Sequence, residues 1–226
     1  MRTLYTFGDS MLDCSHYNDD LVAPGALLCE NRDDLFPEFA GEDLQSLGAG
    51  PVTLAHRARD GAVLHGLRAQ FPRKSQPDHA CAVITIGGND LLQGLLFLPE
   101  QRRDAVWGDW FRDFEAAIAE CPVQTRFVGT VYDPTFRDPA TEARWGFGDA
   151  AEFLRARLVS FNEQLCERAR RAGAIPVDIH GHFLSGDPSW VVQEIEPSVR
   201  GASEVRRAFL HPVLAWARGA VSGRAQ

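Results

Sequence analysis

Three short segments of the chain carry residues that can together perform acyl transfer. The first is GDSMLD, in which Ser10 follows Gly8 at the end of an apolar run. The second, HRARDGA, contains Gly61, and the third, GGND, contains Asn89. Acyl transfer needs a nucleophile beside hydrogen-bond donors that face the developing oxyanion. Ser10 supplies a hydroxyl and a backbone N–H, Gly61 an unobstructed backbone N–H, and Asn89 a side-chain amide.

Regular elements must position these segments, and the pattern of apolar residues predicts which elements they are. The predicted strands are Thr3–Phe7, Val52–Ala55, Ala82–Ile86, Arg126–Val131 and Ala174–Ile179. Apolar residues at steps of three and four predict helices around 107–118, 154–172 and 202–216. Strands that alternate with helices favour a parallel sheet with helices on both faces. Ligands bind at the carboxyl ends of the strands in such sheets, so we expect the three segments to meet on one rim.

Two long connections are expected to act as binding loops or lids. They run from Leu12 to Gly50 and from Asp133 to Asp149, and loops of this length in a compact domain are usually functional. Tyr132 and Asp133 end the fourth predicted strand, on the same side as the three segments. We therefore expect Tyr132 and Asp133 to form part of the substrate pocket.

Length and composition narrow the class of protein. The chain has 226 residues, which favours a single domain spanning residues 1–226. A net charge of −8 argues against nucleic-acid binding, because such proteins need clustered cations. No apolar run approaches the roughly 18 residues of a membrane span, and the first residues lack the apolar segment of an export signal. Five scattered cysteines without CxxC spacing indicate reduced thiols in a cytoplasmic protein and no zinc site.

The three segments resemble, in order, the first three sequence blocks of the SGNH, or GDSL-type, hydrolase family. The resemblance implies a flavodoxin-like α/β/α sandwich of three layers around a central parallel five-stranded sheet. It also implies an esterase or acylhydrolase that acts on a small-molecule ester and uses neither a metal nor another cofactor. In that family, Ser10 corresponds to the nucleophile, and the Ser10 N–H, the Gly61 N–H and Asn89 correspond to the oxyanion hole.

The last block of the chain departs from the family pattern, Asp-x-x-His-Pro-x-x-x-Gly. There the His accepts the serine proton and the Asp orients the His. Aligning Pro197 and Gly201 with the motif places Gln193 at the Asp position and Glu196 at the His position. A carboxylate with an ordinary pKa of about 4.3 is a weaker base than an imidazole at about 6.5, but burial strengthens it. We expect Glu196 to act as the base of a Ser–Glu dyad, in which Gln193 can hold the carboxylate by a hydrogen bond.

Histidines elsewhere in the chain are alternative bases. His180 and His182 in DIHGHF follow the fifth predicted strand on the catalytic rim, and His182 is the better placed. His211 precedes a proline but has Ala208 where the motif needs an acid. It also lies two residues beyond the buried Phe209 of a predicted helix, so we expect it to face solvent. Glu196 itself has a structural alternative, because an acid at a helix start complements the helix dipole.

Two further functions remain as alternatives. A catalytically impaired SGNH-fold protein that binds an acyl or sugar ligand is favoured by the absent Asp and His. The intact set of Ser10, Gly61 and Asn89 argues against it, because a binding protein needs no complete oxyanion hole. A flavodoxin-like nucleotide-binding protein fits less well, since the chain lacks a glycine loop that cradles phosphate.

Overall fold

The computed structural model describes residues 1–48 and 50–219. The strands of the main sheet are β1 (Arg2–Gly8), β2 (Val52–His56), β3 (Ala80–Thr85), β4 (Thr125–Gly129) and β5 (Ile175–Val177). Two further strands, β6 (Val191–Val192) and β7 (Glu196–Pro197), form a short antiparallel hairpin. The helices are α1 (Pro24–Cys29), α2 (Leu64–Leu67), α3 (Gly88–Leu92), α4 (Glu100–Glu120), α5 (Pro139–Arg144), α6 (Ala151–Arg171), α7 (Ile179–Phe183) and α8 (Val199–Ala217).

The main sheet has the order β2-β1-β3-β4-β5, and every pair of neighbouring strands is parallel. This is the flavodoxin-like order, and it confirms the predicted fold class. After β1 the chain moves outward to β2, whereas after β3 it moves in the opposite direction to β4. The loops that leave β1 and β3 therefore diverge, and they open a crevice at the carboxyl end of these two strands.

Helices cover both faces of the sheet and enclose two apolar cores. Strand side chains alternate between the cores, so that Leu4 points to the core with α1, α7 and α8, and Phe7 to the core with α2, α4 and α6. The aromatic stripe predicted around residues 107–118 lies in the second core, where Phe111 packs against Phe161 with ring centroids 4.9 Å apart. Each such buried side chain stabilises the fold by roughly 1.5–3 kcal/mol, which keeps the strand ends in fixed positions.

The two predicted long loops contain regular structure that the sequence pattern did not indicate. The segment 12–50 includes α1, a six-residue helix that begins at Pro24 and packs against α8. The segment 133–149 includes α5, which starts where the Asp138 carboxylate accepts a hydrogen bond from Thr141 N at 2.8 Å. Strand β5 is also shorter than predicted, because Asp178 caps α7 by accepting a hydrogen bond from Gly181 N at 2.8 Å. Short capped helices escape a search for long apolar periodicity.

Membrane-spanning helices are absent from the described residues, since no helix there has both the length and the apolarity needed to cross a bilayer. None of the five cysteines forms a disulfide. Three of them, Cys14, Cys81 and Cys121, are buried, and burial raises the pKa of the Cys81 thiol well above its ordinary value. These side chains therefore act as small apolar residues of the core.

Candidate active site

The nucleophile segment begins with a sharp turn at Gly8. The φ of Gly8 is +114°, and a Cβ there would lie 1.6 Å from the carbonyl oxygen of Thr85, so only glycine fits. Asp9 N donates to Thr85 O at 3.1 Å, and Thr85 Oγ1 donates to Asp9 Oδ1 at 2.6 Å. These bonds hold the end of β1 against β3. Ser10 consequently stands at the start of the loop, 9% exposed, in the crevice between the two strands.

The Asp9 carboxyl is buried directly beside Ser10. Burial raises the pKa of Asp9 to about 7, and the hydrogen bonds from Thr85 and Met11 only partly oppose the rise. The nearby Glu196 carboxylate adds to the increase, because two negative charges at close range repel each other. Burial therefore favours the neutral form of Asp9 next to the nucleophile.

Gly61 occupies a turn that is fixed on both sides. Its φ is +69°, in the left-handed region that favours glycine. On one side, Asp60 N donates to Asp13 Oδ2 at 3.0 Å, so the loop after Ser10 holds the turn. On the other side, Asn89 Nδ2 donates to Ala62 O at 2.9 Å. The three segments identified in the sequence are thereby joined by hydrogen bonds.

Several hydrogen-bond donors at this junction are unused. The neighbouring amides of Asp9 and Met11 donate to Thr85 O and to the Asp9 carboxyl. The backbone N–H groups of Ser10 and Gly61, in contrast, donate to no protein acceptor in the described part of the chain. Asn89 Nδ2 carries two hydrogens, of which the bond to Ala62 occupies one. Each of the three groups predicted for the oxyanion hole thus has an N–H without a protein acceptor in the described structure.

Glu196 reaches the site on strand β7 and not on a helix. It is 7% exposed, and the Tyr132 hydroxyl anchors the strand by donating to the carbonyl oxygen of Ile195. Ser198 caps α8 instead, since its hydroxyl accepts a hydrogen bond from Gly201 N at 3.1 Å. The structure therefore gives the helix cap to Ser198 and leaves the Glu196 carboxylate without a capping role.

Burial raises the pKa of the Glu196 carboxyl above its ordinary value. A contact from the Ser10 side chain opposes this rise, the negative charge of Asp60 adds to it and the positive charge of His16 reduces it. Ser10 and Glu196 form no hydrogen bond with each other in the described part of the chain, and Glu196 Oε2 is buried without a partner. Gln193 is exposed in the hairpin turn at a φ of +47° and leaves that oxygen unbound.

His16 and Tyr17, which the sequence analysis did not select, lie near Glu196. His16 Nε2 is 3.5 Å from Asp60 Oδ2, and the Tyr17 hydroxyl donates to the same oxygen at 2.6 Å. The His16 and Tyr17 rings pack against each other at a tilt of 41°, with centroids 4.1 Å apart. Their position six and seven residues after Ser10, in the same loop, was the available signal. This polar group is partly exposed and forms the solvent side of the site.

The alternative histidines have other surroundings. His182 Nε2 lies 2.9 Å from Glu204 Oε2, a buried carboxylate oxygen on α8 that also accepts a bond from Arg207 at 2.8 Å. His180 has two buried ring nitrogens without partners, and burial lowers its pKa. His211 is exposed on α8, as predicted. At a rise of 1.5 Å per residue, it lies roughly 18 Å along the helix axis from Val199, the first residue of α8.

A cavity of about 780 Å³, counting the open space at its mouth, begins at Ser10. Asn89, Tyr132 and Asp133 also line it, so the structure brings these predicted residues to one place. Asp133 Oδ1 accepts bonds from Thr135 N at 2.9 Å and Thr135 Oγ1 at 2.6 Å. Asp133 Oδ2 is buried without a partner, which leaves one acceptor free in the cavity wall.

Comparison with known proteins gives one family match and several similar folds. The model of the GDSL-like lipase/acylhydrolase family matches residues 6–212, whereas no curated protein matches the chain. LAE5, an alpha/beta hydrolase enzyme from the metagenome of Lake Arreo, Spain, is 21% identical, with 98% of this chain and 97% of that chain covered and a TM-score of 0.58. Axe2, an acetylxylan esterase from Geobacillus stearothermophilus, is 17% identical, with coverages of 100% and 97% and a TM-score of 0.58.

A third similar structure is a member of the lipolytic protein G-D-S-L family from Veillonella parvula DSM 2008. It is 16% identical, with 93% of this chain and 97% of that chain covered and a TM-score of 0.57. At such identities the solved structures establish the fold alone, and the family match across most of the chain establishes the relationship. The chain belongs to the GDSL-like lipase/acylhydrolase family and is an ester hydrolase.

Proposed function

We propose that the protein cleaves carboxylic esters through an acyl-enzyme in which Ser10 is the nucleophile and Glu196 the base. The observation that carries this proposal is the buried Glu196 carboxylate, whose Oε2 has no partner and whose neighbour Ile195 lines the same cavity as Ser10. A base works best when its pKa approaches the working pH, and burial moves Glu196 in that direction. Three histidines of the described residues, His16, His56 and His182, pair with carboxylates and not with Ser10.

The reaction has two steps with the same proton carrier. Ser10 Oγ attacks the ester carbonyl while its proton passes to the Glu196 carboxylate, and the protonated carboxyl then gives this proton to the departing alcohol. In the second step, Glu196 takes a proton from water, which attacks the acyl-enzyme. The carboxyl then returns the proton to Ser10 Oγ as the acid leaves. Glu196 alternates between an anion and a neutral acid. A histidine base would instead become a buried cation, which an acidic partner such as Asp stabilises, and Glu196 needs no such partner.

The negative oxygen of the tetrahedral intermediates needs donors that are already in place. We propose that it lies between the Ser10 N–H, the Gly61 N–H and the second N–H of Asn89. Their lack of protein acceptors supports this role. Donors fixed by the folded backbone need no reorganisation, and each contributes about 2.7–4 kcal/mol to the barrier reduction in the best-studied case. An Asn89→Ala variant should therefore lose about 100-fold or more in kcat.

Tyr132 and Asp133 are proposed to contact the substrate. Both line the cavity next to Ser10, and Asp133 Oδ2 is a buried acceptor without a partner. A hydroxyl or amide of the substrate can satisfy this oxygen, which otherwise remains desolvated at a cost. Replacing Asp133 by Asn changes the acceptor into a mixed donor and acceptor without altering its shape. We expect this variant to raise KM for an ester with a hydroxylated acyl group more than for p-nitrophenyl butyrate.

Hydrolysis of p-nitrophenyl butyrate and labelling by a fluorophosphonate test the proposal directly. The wild-type protein should release p-nitrophenol and carry the label on Ser10, as located by mass spectrometry. Ser10→Ala should abolish both signals, and Glu196→Gln should lower kcat by about 100-fold or more, since general-base catalysis contributes about 10²–10⁴-fold. Gln keeps the size and hydrogen-bonding capacity of the side chain but cannot accept the proton.

The matched control is His182→Ala, which removes the alternative base. If Glu196→Gln keeps full activity while His182→Ala loses it, the Ser–Glu dyad is wrong and the histidine is the base. If the wild-type protein neither turns over an ester nor takes up the label, the alternative of an acyl- or sugar-binding protein replaces the enzyme. Thermal unfolding of each variant separates a lost catalytic group from a lost fold.

A further inference from the structure

We propose that the cavity beside Ser10 binds the acyl chain of the ester, so that esters of medium-length acids are better substrates than acetates. This inference rests on the proposed function, because it assigns the two sides of the same site. It concerns the part of the substrate that becomes the acyl-enzyme. The observations that carry it are the composition of the cavity wall and the position of Glu196 outside that wall.

The cavity wall is largely apolar beyond its polar entrance at Ser10. Its apolar side chains come from α3 and the segment that follows it, from the segment around α5, and from α6. The principal ones are Leu91, Leu92, Leu96, Trp145, Phe147, Leu154 and Leu158. An acetyl group has a single methyl to place there, so most of this surface would stay in contact with water. A longer chain covers it, and each fully buried methylene increases binding by about fourfold.

The position of the base decides which side of the ester enters the cavity. Glu196 must hand its proton to the departing alcohol oxygen, so the alcohol lies next to Glu196. Glu196 does not line the cavity, and neither do Asp60 and His16, its charged neighbours. The alcohol therefore leaves on the partly exposed, polar side of Ser10. The acyl group, on the other side of the carbonyl carbon, extends towards Asn89 and the apolar wall.

A pair of charged side chains limits the useful length of the chain. Glu142 and Arg155 also line the cavity, and they form an ion pair with each other. Methylenes that reach this pair cover polar surface and gain little. We therefore expect activity to increase with acyl length at first and then to level off, instead of rising throughout the series.

The test is a set of p-nitrophenyl esters from acetate through butyrate and hexanoate to octanoate and laurate. All share one leaving group, so only the acyl side varies. We expect kcat/KM to rise by about two- to fourfold per methylene from acetate to hexanoate, because binding of the chain is kept in the transition state. Acetate esters of ethanol, butanol and hexanol vary the other side, and there we expect a change of less than about twofold per methylene.

Variants of the wall connect the chain-length profile to the cavity. Leu154→Trp should fill it and lower the octanoate-to-acetate ratio of kcat/KM by tenfold or more. Val159→Trp, on the exposed face of the same helix α6, should leave the ratio unchanged. Should Leu154→Trp fail to fold by circular dichroism, Leu92→Trp supplies the same test, since Leu92 is 41% exposed and its replacement disturbs no core.

The outcomes separate this inference from the proposed function. If Ser10 takes up the fluorophosphonate and acetate is hydrolysed, but kcat/KM is flat or falls with acyl length, the acyl assignment is wrong and the esterase stands. A rise along the alcohol series in place of the acyl series also overturns it, because the cavity would then hold the alcohol. The acyl assignment is also wrong if kcat/KM depends on acyl length in Leu154→Trp or Leu92→Trp as it does in the wild type. Absence of both labelling and turnover would contradict the proposed function itself.

Discussion

Replacement of Asp9 by Asn is expected to change how the stability of the protein depends on pH. Asp9 is 4% exposed, and its Oδ1 accepts hydrogen bonds from Thr85 Oγ1 at 2.6 Å and from Met11 N at 3.3 Å. An asparagine oxygen can accept both bonds, so the substitution removes the charge while keeping the local contacts. It separates the titration of Asp9 from its structural role in the turn at Ser10.

The size of the effect follows from the pKa of Asp9, which burial raises from 3.8 to about 7. A group with a raised pKa in the folded protein holds its proton there after the unfolded chain has lost it, so stability falls as the pH rises from about 4 to 7. A difference of about 3 pKa units corresponds to about 4 kcal/mol. The stability of Asp9→Asn relative to wild type should thus grow by about 3–4 kcal/mol between pH 4 and pH 8.

Urea unfolding at steps of half a pH unit between pH 4 and pH 8 measures this difference in the free energy of unfolding. All other groups titrate in both proteins, so their contributions largely cancel in the difference. The exposed Asp78→Asn is the control, and its difference from wild type should stay flat. If the Asp9→Asn difference is also flat across this range, Asp9 is not held neutral by burial. The account of the charges around Ser10 would then be refuted.

Four further substitutions have definite expected results. Burial alone would raise the pKa of Glu204, but hydrogen bonds from His and Arg side chains outweigh burial and lower this pKa to about 2. Glu204→Gln should therefore lower the free energy of unfolding in urea by about 3 kcal/mol at pH 7. This loss should fade as the pH falls from about 4.5 to 2. His16→Ala should move the acidic limb of the pH profile of kcat/KM to higher pH and Asp60→Asn to lower pH, because these charges act on the pKa of Glu196 in opposite directions. Tyr132→Phe should lower kcat by about tenfold with little change in KM, since its hydroxyl anchors the strand of Glu196.

For each of these predictions, one specific result would contradict the reasoning. An equal loss of stability in Glu204→Gln at every pH would mean that the charge of this side chain contributes nothing. Shifts of the acidic limb in the same direction for His16→Ala and Asp60→Asn would indicate that the limb does not report Glu196. A higher KM without a change in kcat for Tyr132→Phe would mean that the hydroxyl binds substrate, as the ring is proposed to do, and does not position the strand of Glu196.

The fold and the meeting of the three segments were accessible from sequence because their causes are local. Short apolar runs alternate with amphipathic helices, and this pattern admits few arrangements other than a parallel sheet between two helical layers. The parallel order then places the ends of β1 and β3 side by side. Gly8 could be recognised as a turn residue, but its contact with Thr85 O became visible only when β3 was paired with β1.

Features that depend on long-range packing were beyond the sequence pattern. The hairpin of β6 and β7 has two residues in each strand, which is too short for a periodic signal. Its formation explains why Glu196 lies in a strand, and why Gln193 lies in an exposed turn and not beside the carboxylate. The proximity of His16 to Glu196 likewise joins residues 180 positions apart, and only the folded loop brings them together.

The central claim, that Glu196 activates Ser10, is tested most directly by the rate of Ser10 labelling. A fluorophosphonate reacts with the activated hydroxyl in one step, so its rate reports proton removal without product release. In the wild-type protein this rate should rise with pH around a pKa above the ordinary value for Glu. In Glu196→Gln it should be about 100-fold lower and lose that pH dependence. Labelling of Glu196→Gln at the wild-type rate, with the wild-type pH profile, would contradict the claim.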